Sequence, residues 1–142
     1  MVGGMTNTTT TTPTTEPSVS TNVDTVIDTY MEAYSEPDPA RRAELVAKSF
    51  TTDGELIDPP VDGRGHTGIT EMMGAVLGHY PDHRFRRTTG VDAHHNVARY
   101  GWELVDTTGT VALTGTDVAE FDEDGSISRV LGFLGDLPRR DP

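Results

Sequence analysis

The chain has 142 residues, no cysteine, and eleven basic against twenty-three acidic side chains, giving a formal charge of −12. That length fits one domain of ordinary size, and the missing cysteines exclude thiol chemistry and cysteine-ligated zinc. The acidic field argues against nucleic acid and anionic membranes as partners.

In chain order, residues 1–20 (MVGGMTNTTTTTPTTEPSVS) are rich in Thr and Pro. They offer too little apolar surface to offset the entropy of ordering, so a disordered tail is expected there. A single domain is expected over 21–137, followed by a short tail, 138–142. No basic start leads into an apolar run, as a secretory leader would, and no stretch nears the ~18 apolar residues of a membrane span. A soluble, cytoplasmic protein is expected. Ser20 and Thr21 are suited to cap a first helix, whose apolar stripe is Val23, Val26, Ile27, Tyr30 and Tyr34. Pro37 ends it. Asp38-Pro39 starts a second helix, with Asp as cap and Pro in the first turn; its inner face is Leu45, Val46, Ser49 and Phe50. A turn at Thr52-Asp53-Gly54 leads into a short strand, Glu55 to Asp58, closed by Pro59-Pro60.

The glycine-rich VDGRGHTG is expected to be a loop before a third helix with Ile69, Met72, Met73, Val76, Leu77 and Tyr80 on its buried face. Pro81 stops that helix. The pattern then changes period. His83–Asp92, Asn96–Asp106, Thr110–Phe121 and Ser126–Leu134 read as four long strands, separated by turn signals at His94-His95-Asn96, Thr107-Thr108-Gly109 and Asp122-Glu123-Asp124-Gly125. Helix, helix, strand, helix and antiparallel meander make an α+β domain with helices on one face of a curved sheet.

The runs DPARRAELVAKSFTTDGELIDPPVDGRGHTGI, PDHRF, VDAHHNVARYGWEL and GTDVAEFDEDGSISRVLGF resemble the SnoaL-like family of the nuclear transport factor 2-like superfamily. The resemblance extends roughly from Val23 to Asp136 and rests on the order and spacing of these motifs. It implies a cone-shaped fold, with three N-terminal helices packed on a curved, mainly antiparallel sheet that encloses a pocket. It also implies a homodimer formed through the outer sheet face. The superfamily includes ketosteroid isomerases, polyketide cyclases and limonene epoxide hydrolases, so the fold alone does not choose an activity. The isomerase pattern has a tyrosine in a context like VIDTY, an aspartate before proline ending the first strand, and a second acid on a late strand. These point to Tyr30, Asp58 and Asp117.

The resemblance therefore implies a cofactor-independent enzyme, an isomerase or cyclase, acting on a small hydrophobic or carbonyl-containing molecule. Asp58 would move the proton while Tyr30 and Asp117 stabilise the enolate oxygen. A non-catalytic ligand-binding or dimerisation module is the alternative. Each acid also has a plainer role open to it. Asp58 can cap its own turn, and Asp117, on the face shared by Leu113, Gly115, Ala119 and Phe121, can pair with Arg99 or Arg129. Tyr30 can be a core tyrosine with a backbone partner. Trp102, Tyr34, Leu134, Ala119 and Met73 are the candidates for the substrate-binding wall. Tyr100, Trp102 and Leu104 share one strand face and are expected in the pocket wall and core; Arg99 and Glu103 share the other, as an exterior or dimer-facing pair. Epoxide hydrolysis is disfavoured, because Arg99 matches that enzyme's arginine while its two acids fall at Gly101 and Gly132. Two features depart from the isomerase: the inserted SEPDPARR and a shortened loop after Asp58, both at the pocket mouth. No metal site is expected. His94-His95 sits at a hairpin turn, and no H-E-x-x-H pattern is present. His79 and His83 are candidates for the pocket mouth.

Overall fold

The computed structural model describes residues 19–141. The expected tail therefore lies, but for its last two residues, outside the described part. Three helices and seven strands are found there: α1 (Val19–Ala33), α2 (Pro39–Ser49), β1 (Phe50–Asp58), β2 (Val61–Arg64), α3 (Gly65–His79), β3 (Arg84–Arg87), β4 (Asp92–His94), β5 (Val97–Val105), β6 (Val111–Phe121) and β7 (Ile127–Leu134). No described helix is long and apolar enough to cross a membrane.

The helices follow their apolar periodicity. α1 starts at Val19, so Ser20 and Thr21 lie inside its first turn rather than before it. It buries Val23, Ile27, Tyr30 and Met31, with Tyr34 just past its end. Ser35 then fastens the helix terminus to the sheet: its hydroxyl donates to the Met31 carbonyl at 2.8 Å and accepts from the Phe85 amide at 2.9 Å. Asp38 caps α2, accepting from the Arg41 amide at 2.9 Å, and Pro39 supplies a first-turn residue with no N–H to satisfy. The inserted loop between α1 and α2 is pinned by the buried Arg42. Its guanidinium donates to the carbonyls of Glu36 at 2.9 Å and Pro37 at 3.1 Å. On its other side Arg42 lies against Gly74 of α3, where a Cβ would come within 2.6 Å of Nη1.

Two expectations are corrected in the sheet. Thr52-Asp53-Gly54 is not a turn: β1 runs continuously from Phe50, and its pairing with β7 shifts register between Phe50 and Glu55. VDGRGHTG is not a loop either. Its first half is β2, paired with β1 from Asp58↔Val61 to Glu55↔Arg64, so Pro59-Pro60, joined by a cis peptide bond, forms a two-residue hairpin turn. Its second half is the first turn of α3. Glycine permits both, because a Cβ on Gly63 would sit 2.7 Å from the Gly68 carbonyl oxygen.

The sheet order is β2-β1-β7-β6-β5-β3, with β4 also paired to β5. Only β1–β7 is parallel; the other pairings are antiparallel. The sheet is curved and not closed. The expected strand His83–Asp92 is shorter: it ends as β3 at Arg87, and β4 begins only at Asp92 and runs into the expected turn at His94. Between them the Thr89 hydroxyl accepts from the Gly101 amide at 2.9 Å, so that a side chain stands in for ladder backbone. The core lies between the helices and the inner sheet face, with Ile27, Tyr30, Leu56, Ile69, Met73 and Val130 among its buried members.

Candidate functional site

Alternation along the strands aims every second side chain into the hollow of the sheet. The inner face of β5 is Ala98, Tyr100, Trp102 and Leu104; that of β6 is Leu113, Gly115, Asp117, Ala119 and Phe121. Across this hollow opens a cavity of about 550 Å³, lined by Tyr34, Asp58, Pro59, Pro60, Val61, Val76, His79, Tyr80, Phe85, Trp102, Leu113 and Leu134. That volume suits a small organic ligand. Behind it lies a void of about 10 Å³ bounded by Tyr30, Met31, Tyr34, Asp58, Phe85, Trp102 and Asp117.

Asp58 stands at the boundary between the two. It ends β1, and the hairpin through Pro59-Pro60 holds its backbone. Its Oδ2 accepts from the Tyr34 hydroxyl at 2.9 Å. Burial raises the carboxyl above the ordinary aspartate range, and the bond from Tyr34 partly opposes that rise. Asp117, 2% exposed, is held by two neighbours on β5. The Tyr100 hydroxyl donates to Oδ2 and the Trp102 indole N–H to Oδ1, each at 2.9 Å. Burial first, and the charge of Asp58 second, push Asp117 up to about 8 against those two bonds. The Tyr30 hydroxyl is raised well above the usual tyrosine range, chiefly by burial and then by Asp117 and Asp58.

Glycines make this arrangement possible. Gly132 of β7 is the register partner of Asp117. A Cβ there would overlap Asp58 Oδ1 and lie 3.2 Å from Asp117 Oδ1, so both carboxylates converge over one bare backbone position. Opposite Trp102, a Cβ on Gly115 would run into the indole ring and the Phe133 carbonyl. The indole thus lies against the strand, where its N–H reaches Asp117. The Gly132→Ala variant is expected to dislodge the Asp58 carboxylate from Tyr34 and to cost about 1–3 kcal/mol of stability. Thermal denaturation beside the wild type checks this; equal melting points would refute it. An aromatic chain stiffens the wall: ring centroids are 4.3 Å apart for Tyr34–Phe85 and 5.4 Å for Phe85–Trp102.

The structure thus gathers Asp58, Asp117 and Tyr30 in one place, but only Asp58 reaches the large cavity. Trp102, Tyr34 and Leu134 line that cavity. Ala119 and Met73 do not: both are completely buried in the core, where the inner face is already covered by helices. Asp117 has no arginine partner. Arg99 bonds Asp92 at 2.8 Å and Arg129 bonds Glu120 at 3.1 Å, both among outward-facing groups. Glu103 likewise pairs with Arg86, at 2.8 Å, rather than with Arg99. Arg99, which matches the hydrolase arginine, has a side chain 72% exposed and takes no part in the cavity. His79 and Tyr80 stand at the mouth, whereas His83 lies outside the lining. Phe85 and the prolines were not among the site candidates, and Tyr100, on the expected wall face with Trp102 and Leu104, bonds Asp117 from the core instead of lining the cavity. The shared face of Tyr100, Trp102 and Asp117 was the available signal for that bond. Among the described residues, no cluster of three or more His, Asp or Glu is placed to hold a metal.

A half-open curved sheet with three helices and a carboxylate at the floor of an apolar cavity defines a nuclear transport factor 2-like α+β domain. The SnoaL-like domain model matches residues 27–130, and the chain belongs to that family. Among solved structures, one from Agrobacterium tumefaciens str. C58, provisionally named an isomerase of the SnoaL-like family, is 34% identical with a TM-score of 0.77. The match covers 82% of this chain and 99% of that one. A protein of unknown function with a cystatin-like fold from Methylobium petroleophilum PM1 shares 20% identity over 84% of this chain and 80% of that one, with a TM-score of 0.66. A protein from Sinorhizobium meliloti, provisionally named a polyketide cyclase, shares 15% identity over 79% of this chain and 98% of that one, with a TM-score of 0.61. The last two likenesses show the fold alone. No curated protein matches this chain.

Proposed function

We propose that the protein is a cofactor-independent acid–base enzyme, an isomerase or cyclase, acting on a small neutral molecule with a carbonyl group. The observation that carries this reading is Asp58: a half-buried carboxylate at the floor of an apolar cavity of about 550 Å³, steadied by Tyr34. Desolvation makes such a carboxylate a better base than one in water. Among the described residues no lysine or arginine lines the cavity, and the chain is strongly acidic, which favours a neutral substrate over an anion. In this reading Asp58 removes a proton from the carbon beside the carbonyl and returns it elsewhere on the substrate. Tyr34, Trp102 and Leu134 hold the ring or chain, and His79 at the rim offers a polar contact. Asp117 and Tyr30 act from behind, setting the charge and position of Asp58. The names of the Agrobacterium and Sinorhizobium proteins are consistent with this class of reaction.

A binding module without turnover is the second reading. It is favoured by the placement of Tyr30 and Asp117 outside the cavity wall and by the engagement of both Asp117 oxygens, which leave few donors for an enolate oxygen. The two readings separate in a panel of neutral cyclic ketones and enones incubated in heavy water. Proton–deuterium exchange beside the carbonyl that requires Asp58 supports the enzyme; binding with no such exchange supports the module.

A further inference from the structure

The large cavity is backed by the void of about 10 Å³ behind Asp58. That void has room for a single water, which needs roughly 10–15 Å³ and two to four polar partners. The partners are present. Tyr30 is 1% exposed, and its hydroxyl makes no hydrogen bond to another described residue. Tyr30 nevertheless bounds the same void as Tyr34, Asp58 and Asp117. A buried hydroxyl without a partner is rare and costly, because it has given up its hydration for nothing. Asp58 spends only Oδ2 on Tyr34, and Asp117 Oδ1 keeps a lone pair beyond the bond from Trp102. The two Oδ1 atoms converge over Gly132.

We propose that this void binds one ordered water, which accepts from the Tyr30 hydroxyl and donates to Asp58 and Asp117, joining the two carboxylates into one coupled acid pair. Tyr30 is then a positioning residue whose task is to hold that water. The coupling follows from like charges brought together away from solvent, where ionising one carboxyl opposes ionising the other. The groups facing the pair are Tyr30 and Tyr34 from α1, Tyr100 beside the neutral Trp102 from β5, and the bare Gly132 from β7. Arg87 of β3 exerts its charge on Tyr100, and His79 of α3 stands across the large cavity. No cation among the described residues bonds to either carboxylate.

The proposal is independent of the reaction suggested above, because its readouts are density and titration rather than turnover. Crystal structures of the wild type and Tyr30→Phe, with carbon NMR titration of the Asp58 and Asp117 carboxyls, test it. A water peak within hydrogen-bonding reach of Tyr30, Asp58 and Asp117 is expected in the wild type. Both carboxyl signals should respond to a shared protonation step. In Tyr30→Phe the peak and the shared step should be lost, and in Asp58→Asn the Asp117 midpoint should fall by about one pH unit or more. A well-ordered wild-type void without density, a water retained unchanged in Tyr30→Phe, or two independent wild-type titrations would each overturn it. Should Tyr30→Phe fail to fold, the wild-type density and titration decide alone.

Discussion

With Asp58→Asn, exchange of the protons beside the carbonyl of a bound neutral ketone is expected to fall by roughly 10²–10⁴-fold, the usual contribution of a positioned general base. Folding and ligand affinity should survive. The asparagine carbonyl can still accept from Tyr34, so the hydrogen bond that orients residue 58 persists. What disappears is the only carboxylate that lines the large cavity among the described residues. Burial raises the Asp58 carboxyl, so in the wild type the exchange rate should climb with pH as this group ionises, and then level off. The variant should lack that rise. Binding can be followed separately, since the chain has a single tryptophan and that residue lines the cavity. If both proteins exchange at one rate while ligand quenches Trp102 equally, Asp58 is no base and the binding-module reading stands.

Asp117→Asn is expected to raise the melting temperature at pH 9 by several degrees and to change it little at pH 4. In the folded protein Asp117 keeps its proton to about pH 8, whereas in the unfolded chain it ionises near the ordinary aspartate value of 3.8. Between those values the folded state binds a proton that the unfolded state has released. Stability must therefore fall as pH rises through that window, then stay level above it. The slope is on the order of 1.4 kcal/mol for each pH unit crossed. Asparagine mimics the neutral acid: its carbonyl accepts from Trp102 and its amide faces the Tyr100 oxygen. It has no proton to lose. The raised Asp58 contributes with the same sign, so some slope should persist in the variant. Thermal melts from pH 4 to 9 give the answer; curves that stay parallel over the whole range would refute the assignment.

The helices and later strands were legible because their periodicity reports burial directly. Leu45, Val46 and Ser49 on α2, and Ile69, Met72 and Met73 on α3, are buried as the spacing predicts. Composition misled where glycine and proline mark close packing rather than a loop. Gly54 sits in an irregular strand, and Gly63 is a place where helix and strand nearly touch. The site was legible as residue types but not as partnerships. Tyr100 and Asp117 share the inner face, yet their pairing depends on register. Counting back from the turn at Asp106–Thr110 places Tyr100 opposite Thr116. An irregularity between Leu104 and Val105 moves it opposite Asp117. The turn beside that step is held by Asp106 Oδ1, which accepts from the amides of Thr108 and Thr110, each at 2.9 Å. The depth of Tyr30 behind Asp58 arises from packing between α1 and strands distant in sequence, which no local pattern encodes.

Gly132 carries a consequence for how this cavity can diversify. A side chain at that position and the present carboxylate at position 58 claim the same space, so the two are alternatives rather than additions. An acid installed at 132 would displace the Asp58 carboxylate from its place beside Tyr34. A side chain at 132 on this scaffold therefore calls for a change at position 58 as well.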